Sequence, residues 1–581
     1  MKEKTLLYKA NEILLPYHKR KAPVIILLLC ISSLLDFISL AAFLPVVFLI
    51  INPAPSVVTQ WLQNLIPVQS IAPGDLAMIF TAVMIFVIIF KTQINLKIAS
   101  RKASYAFKIS ADLASLALTQ YLTSPYSKYA STDYTREMNK ISNLPLMFAN
   151  NIIIPAGTVL SEGLLLSMFF VGIAIYDIKV LAFVILITSP VVLVYFYKRK
   201  RMKNISEEVK TIYPRLLKYT LEAIEAFPEI KAFGKENYFK SRFNKTFDSV
   251  RKVFSEDHVV NTSAQRTTEL LAALCVGALI IYALLQKSLM HETALLLSIY
   301  AGISFRAIPA VNRIFAASLQ MKSHEYILHD LKNLIRPNRE TVNETADALS
   351  FHDKIEIRDI CFGYGNDSLI FDHASLIIQK GTRVVFMGES GAGKTSLFLI
   401  LMRFISENSG EIFVDDQKLT DLNVAGWQRS VGYVPQNPFI LDATIAENVA
   451  FGVPAVDIDT GKVIRLLREL NLGPWLDSQK DGINTIIGEK GSRISGGQRQ
   501  RLAIARALYD DAEILLLDEV TNQLDRQTEI EVLNAIDGFA HKGRTILLIT
   551  HRPELWHSFD SIYELRDGKF FKVAQEETYP N

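Results

Sequence analysis

The sequence predicts a multidomain chain: an N-terminal all-α membrane domain of six helices with long cytoplasmic helical extensions, then a C-terminal α/β domain built on a phosphate-binding loop. Three observations predict it. Six apolar segments, near residues 23–51, 76–98, 148–176, 180–198, 264–286 and 294–320, are each about 20 residues or more, enough to cross a hydrocarbon core of roughly 30 Å. From Ile355-Glu356-Ile357-Arg358-Asp359-Ile360 onward, strand-like and helix-like stretches alternate, as in a domain with a mainly parallel core sheet. Within that region Gly388-Glu389-Ser390-Gly391-Ala392-Gly393-Lys394-Thr395 fits G-x-x-x-x-G-K-[ST].

Composition agrees with two unlike halves. Of 581 residues, 50% are hydrophobic and 21% charged. The mean hydropathy of +0.22 averages the apolar runs with an ordinary soluble region. A net charge of +3 is too small to indicate nucleic acid as a partner. Cys30, Cys275 and Cys361 are scattered, with neither a disulfide framework nor a metal-ligand spacing. The first apolar run is too long for the core of a cleavable signal peptide, and no small-residue cleavage site follows it.

Taken in order, residues 3–20 read as an amphipathic helix, with Leu6, Leu7, Ala10, Ile13, Leu14 and Tyr17 at helical spacing. The adjacent span favours a place on the membrane surface over packing as an ordinary soluble helix. Only Asp177-Ile178-Lys179 separates the third and fourth spans, so these form a tight helical hairpin. Lysine and arginine are absent from 52–75 but abundant before the first span and in Lys198-Arg199-Lys200-Arg201. That bias places both termini and both long connections, about 99–147 and 199–263, in the cytoplasm. The connections are helical in pattern and continue the spans outward. Each breaks once, at Ser124-Pro125-Tyr126 and at Phe227-Pro228-Glu229, where short helices would touch a cytoplasmic domain. The expected division is a transmembrane domain at 1–320, a polar linker at 321–353 and a nucleotide-binding domain at 354–581.

The phosphate loop sits between the β-rich Thr382–Met387 stretch and an apolar helical start at Ser396. Glycines let backbone N–H groups approach phosphate oxygens without a Cβ in the way, and the helix N-terminus adds positive potential. Lys394 would reach the terminal phosphates, and the Thr395 hydroxyl would ligate Mg²⁺. Ile514-Leu515-Leu516-Leu517-Asp518-Glu519 reads as a buried strand ending in two carboxylates. Asp518 is placed to hold Mg²⁺ and Glu519 to polarise water. Ile494-Ser495-Gly496-Gly497-Gln498 opens a further helix, a second anion-binding turn.

These motifs, in this order, make the chain resemble the ATP-binding cassette (ABC) transporters of the exporter type over essentially its whole length. The resemblance implies a P-loop ATPase that binds ATP and Mg²⁺ through residues 388–395 and Ser396. It implies that Ser495, Gly497 and Gln498 contact the γ-phosphate of ATP held by another subunit. It assigns Gln436 to the loop that senses Mg²⁺, Tyr364 to stacking on adenine, His551 to the switch histidine and Asp525 to the dimer interface. Ile494 replaces the usual Leu, and Val520, Asn522 and Gln523 depart from the family pattern without touching the catalytic groups. One membrane domain with one nucleotide domain is a half-transporter, so a homodimer is the expected assembly, with a heterodimer as the alternative. ATP binding would close two nucleotide domains on each other, and the breaks near 124–139 and 224–239 would pass that motion to the spans.

The cargo is read from charges within spans, each costing about 2.5–3.5 kcal/mol to insert. Asp36 and Glu162 suggest intramembrane pairing with an arginine. Arg306 and Arg313 share a helix face, and with Lys91 and Arg266 they would suit a substrate bearing phosphate or pyrophosphate. Short stretches, among them Leu35-Asp36-Phe37, Tyr121–Tyr126, Leu160-Ser161-Glu162 and Glu229–Asn237, are similar to the bacterial lipid-linked oligosaccharide flippase group. That resemblance implies a multi-pass protein of the bacterial inner membrane that moves polyprenyl-pyrophosphate-linked glycans across the bilayer. Export of other lipids, peptides or drugs is the alternative. No peptidase region precedes the first span, which disfavours a processing peptide exporter. An ATP-driven membrane regulator without transport is the third reading.

Overall fold

The computed structural model describes residues 6–42, 73–131, 133–176, 178–285, 309–335, 349, 351–365, 369–488, 491–521, 526–540, 543–552 and 559–573. The chain divides into two compact units, Met1–Leu122 with Thr132–Asn338, and Thr123–Ser131 with Arg339–Asn581.

The first unit is helical. Its first helix, α1 (Leu6–Ile13), is separate from α2 (Pro16–Ala41). The single amphipathic helix expected over 3–20 therefore breaks. Pro16 disfavours the helical conformation at the residue before it, and its missing N–H is harmless at the start of a new helix. The apolar face of α1 also has a different partner from the membrane surface. Ala10 and Ile13 are buried in one cluster with Ile109, Leu113, Leu144, Phe148, Ile327 and Leu331. Lys9 pairs with Glu325 at 2.6 Å.

Next comes α3 (Pro73–Leu122), a helix of 50 residues. At 1.5 Å per residue it is about 75 Å long, more than twice the thickness of a hydrocarbon core. The chain then breaks before α4 (Tyr126–Ser131), which belongs to the second unit. Helical backbone resumes at Tyr134 and passes through two π-helical stretches, Asn139–Asn143 and Ala149–Ile153, on either side of Pro145. Pro145 cannot donate to a regular ladder, and wider turns take up the mismatch. It continues as α5 (Ile154–Tyr176), α6 (Ile178–Glu225), the short α7 (Phe227–Phe233) and α8 (Glu236–Leu285). Gly234, with φ 60°, closes α7 in the left-handed conformation that glycine adopts without penalty.

Three described helices are long and apolar enough to cross a membrane: Pro16–Ser39, Met78–Leu122 and Tyr134–Gly172. The segments expected at 180–198 and 264–286 fall within α6 and, for residues up to 285, α8. Of the sixth segment, residues 309–320 are described and helical. Residues 43–72, which hold most of the stretch without lysine or arginine, lie outside the described residues. The stretch read as polar linker begins with structure: α9 (Tyr326–Ile335) is a helix of the first unit, with Ile327, Leu328 and Leu331 buried.

The second unit is α/β, with two sheets. Strands β1 (Lys354–Phe362), β2 (Phe371–Gln379), β3 (Arg383–Met387), β4 (Ser409–Val414), β5 (Gln417–Lys418), β6 (Val431–Val434), β7 (Ile514–Asp518), β8 (Thr545–Ile549), β9 (Ser561–Arg566) and β10 (Lys569–Lys572) follow in chain order. The larger sheet runs β10-β9-β3-β8-β7-β6. All its pairs are parallel except β9 with β10, as the alternating pattern predicts. The smaller sheet, β2-β1-β4-β5, is antiparallel. Every residue of β7 and β8 is buried, which is why both read as unbroken apolar runs.

Candidate functional site

The phosphate loop leaves β3 and opens α10 (Lys394–Leu401). Gly388, Gly391 and Gly393 have φ of 146°, 85° and 104°. At Gly388 a Cβ would lie 2.6 Å from the carbonyl oxygen of Leu565, so the turn requires glycine for space as well as for conformation. Lys394 is buried and donates to the carbonyls of Gly388 at 2.9 Å and Glu389 at 2.8 Å. Burial lowers its pKa from the ordinary lysine value, against the opposing pull of Glu519 and Asp518. Thr395 Oγ1 donates to Asp518 Oδ1 at 3.4 Å. Burial raises the Asp518 pKa above the usual carboxylate value, with Glu519 adding to the rise and Thr395 and Lys394 opposing it.

Strand order assembles the rest. Gln436 follows β6, Glu519 follows β7 and His551 follows β8, and these three strands are neighbours in the parallel sheet. Their carboxyl ends form the crevice where open α/β sheets bind ligands. Gln436 Nε2 donates to Glu519 Oε2 at 2.7 Å. His551 Nε2 lies 3.1 Å from Glu519 Oε1. One carboxylate is therefore bracketed by an amide and an imidazole. Glu519 takes φ 50°, a left-handed conformation that costs a residue with a Cβ about 1–2 kcal/mol. Its backbone N–H donates to Ile549 O at 3.1 Å, which ties the turn to β8.

Tyr364 is exposed, meets Phe362 edge to face at 5.0 Å, and has its hydroxyl 3.2 Å from Ser396 Oγ on α10. This leaves a ring available for stacking beside the phosphate loop. Ser495 caps α11 (Gly496–Tyr509) in a reciprocal box: Gln498 N–H donates to Ser495 Oγ at 3.2 Å, and Ser495 N–H donates to Gln498 Oε1 at 2.9 Å. Among the described residues, Ser495 and Gln498 bond to each other and not to the phosphate loop. Asp525 and Arg306 lie outside the described residues.

Two further side chains pack here: Gln500, to which the sequence assigned no role, and Tyr126 of the expected break. Gln500 is buried on α11 and donates through Nε2 to Gln436 O at 2.6 Å, holding the segment after β6 from behind. Its signal was a polar residue in register with Ala503, Ile504 and Ala507 on the apolar helix face. Tyr126 of α4 stacks on Phe404, with ring centroids 5.0 Å apart and planes at 9°. Phe404 lies three residues beyond the end of α10, so the expected contact of this break with the nucleotide domain runs to the helix that starts at the phosphate loop. We expect Tyr126→Ala to leave basal ATPase intact and to lower cargo stimulation of it by about 2–10-fold, the worth of one aromatic pair. Comparing ATPase rates with and without cargo in nanodiscs checks this.

Among the described residues, Asp36, Lys91, Glu162, Arg266 and Arg313 are all paired. Lys91 lies 3.0 Å from Asp36 and donates to Ser39 Oγ at 2.6 Å; Asn95 donates to Asp36 at 3.2 Å. Arg313 binds both oxygens of Glu162, at 2.6 and 3.2 Å. The pairing expected for the two acidic residues is thus made by one lysine and one arginine. Arg266 pairs with Glu269 at 3.1 Å on the surface of α8.

Comparison with known proteins agrees with this architecture. A family profile described as "ABC transporter" matches residues 371–522, and one described as "ABC transporter transmembrane region" matches 38–292. An ATP-dependent lipid A-core flippase of a Polaromonas species is 31% identical over 73% of this chain and 72% of its own. One from Saccharophagus degradans is 26% identical over 72% and 71%. A solved structure of a bacterial Atm1-family ABC exporter with ATP bound superposes with a TM-score of 0.78, covering 95% of this chain and 94% of that one at 19% identity, a likeness of fold. The chain belongs to the ABC transporter family: it is an ATP-hydrolysing exporter with a helical transmembrane region and a C-terminal nucleotide-binding region.

Proposed function

We propose that this exporter is a homodimeric lipid flippase of the bacterial inner membrane that moves a glycolipid out of the cytoplasmic leaflet. The observation that carries the reading is the extent of similarity to lipid A-core flippases, about seven-tenths of each chain. Lipid-linked oligosaccharides, indicated by the stretches around Asp36, Tyr121–Tyr126, Glu162 and Glu229–Asn237, belong to the same chemical class. A polyprenyl-pyrophosphate-linked glycan is the specific substrate we assign. Export of peptides or drugs would need no glycan headgroup and is the outcome against which the assignment is tested.

In this reading the loop N–H groups and Lys394 hold the ATP phosphates, and Tyr364 stacks on the base. Glu519 accepts the proton of the attacking water, while Gln436 and His551 fix its carboxylate. Thr395 meets Asp518 at 3.4 Å and Gln436 meets the adjacent Glu519 at 2.7 Å, and their hydroxyl, carboxylate and amide oxygens are a donor set that would suit Mg²⁺. Mg²⁺ supplies neutralisation of phosphate charge. Ser495, Gly497, Gln498 and Asp525 serve the site of the second copy. The exposure of Phe227 and Phe233 on α7 fits a surface that the second copy covers.

Among the cations first assigned to substrate, Arg313 is the headgroup contact we retain for testing. Arg313→Ala alone strands Glu162, and an unpaired charge within a span costs about 2.5–3.5 kcal/mol whatever its role. The double variant Arg313→Ala/Glu162→Ala removes both charges. If Arg313 binds the headgroup, ATP-driven reorientation of a polyprenyl-pyrophosphate glycan in liposomes stays at least about tenfold slow in the double variant. Recovery to the wild-type rate makes the pair structural. No ATP-dependent reorientation of either this glycan or a lipid A-core glycolipid, with ATPase stimulated by a non-lipid cargo, would overturn the flippase reading.

A further inference from the structure

The antiparallel sheet carries a group of reactive side chains that ATP chemistry does not use. Strands β1 and β2 slip register twice, between Ile357 and Ile360 and between Ile360 and Phe362. Asp359 and His373 adopt left-handed φ of 52° and 51° at this irregular pairing. The distortion brings together groups that a regular ladder would set on opposite faces. His373 Nδ1 lies 2.8 Å from Asp359 Oδ1, and the His373 backbone N–H donates to Cys361 Sγ at 3.4 Å. Cys361, Asp372 and His373 each offer one ligand atom, and these three atoms all lie within 4.8 Å of one another. Cys361 is a free, buried thiol, whereas the His373 side chain is 64% exposed.

We propose that Cys361, Asp372 and His373 form a binding site for a divalent, borderline-soft metal ion of the zinc type. Asp359 then orients the imidazole. Thiolate, imidazole and carboxylate together favour zinc over magnesium or calcium, which take oxygen ligands. The chemistry is therefore unlike that of Thr395 and Asp518. A carboxylate that accepts from one ring nitrogen leaves the other as the ligand, the usual second partner of a metal-bound histidine. Ligand atoms about 2.0–2.3 Å from a tetrahedral zinc lie about 3.3–3.8 Å apart. Closing to that spacing needs side-chain rotations of about 1 Å, which the solvent-facing His373 permits. Binding releases the Cys361 thiol proton to solvent, and water completes the fourth position. Sequence spacing gave no sign of the site because Cys361 and His373 lie on different strands and meet only through the slipped register.

The site is next to the nucleotide platform. Cys361 directly precedes Phe362, whose ring supports Tyr364. A metal tie between β1 and β2 fixes that support, so the metal-loaded protein has a lower KM for ATP at unchanged kcat.

The test uses the full-length protein in detergent, stripped with chelator and titrated with zinc alone, then with cobalt. One tight zinc per chain is expected. Asp359→Asn weakens it about 10–100-fold, and His373→Ala and Cys361→Ser weaken it at least as much. A thiolate-to-cobalt charge-transfer band is expected in the wild type and lost in Cys361→Ser. His373→Ala, a surface change, keeps the metal-free ATPase rate and loses the zinc effect on KM. Equal zinc uptake by wild type and all variants, or cobalt binding without the thiolate band, would overturn the proposal.

Discussion

Glu519→Gln lowers ATP hydrolysis by about 10²–10⁴-fold, the usual contribution of a general base, and leaves nucleotide binding in place. The substitution keeps size and shape, so the turn after β7 retains its hydrogen bond to Ile549 O. What it removes is proton affinity. The carboxylate lies 2.7 Å from Gln436 Nε2 and 3.1 Å from His551 Nε2. The Gln436 amide cannot replace it, because an amide is no base at neutral pH. In the proposed mechanism phosphate binding rests on other groups, the loop N–H donors and Lys394, whose hydrogen bonds to the Gly388 and Glu389 carbonyls do not involve Glu519. Steady-state ATPase together with equilibrium binding of a fluorescent ATP analogue checks both parts. Hydrolysis within tenfold of wild type would mean that another group accepts the proton.

What the sequence showed and what it hid divide along physical lines. The phosphate loop was legible because its requirements are local: glycines, a lysine and a hydroxyl in eight consecutive residues between a strand and a helix. The strand ending in Asp518 and Glu519 was legible from its unbroken apolar run. The meeting of Gln436, Glu519 and His551 was not, since it depends on β6, β7 and β8 being neighbours, and only family resemblance supplied it. Periodicity identified the apolar face of α1 but not its partner. The same spacing serves a lipid surface or a protein core, and here Ala10 and Ile13 pack with Ile109 and Ile327. Reading 321–353 as one polar stretch averaged away α9, although Ile327 and Leu331 stand four residues apart on one face. Charges inside spans signalled pairing, but which cation meets Asp36 and which meets Glu162 depends on how helices distant in sequence lie together.

The second large effect is expected at the loop's first glycine. Gly388→Ala lowers ATP affinity at least about 100-fold, whereas Gly391→Ala costs about 5–30-fold, the 1–2 kcal/mol of placing a Cβ in a left-handed conformation. Both positions have positive φ, 146° and 85°. Their surroundings differ. A Cβ at Gly391 meets nothing within 4 Å, but one at Gly388 lies 2.6 Å from Leu565 O and 3.5 Å from Leu565 C. Leu565 belongs to β9, whose parallel register with β3 runs from Val384–Ser561 to Met387–Glu564. Its carbonyl cannot withdraw without disturbing β9, which is held between β10 and β3, so the loop must move instead. Movement at Gly388 displaces the carbonyl that binds Lys394 Nζ at 2.9 Å, and with it the register of the N–H donors that approach phosphate. Because the change sits at the rim of the sheet and leaves β7 and β8 untouched, the domain still folds. Nucleotide titration and thermal unfolding of both variants separate the two effects: wild-type affinity in Gly388→Ala would show that the loop's close approach to β9 does not shape the cradle.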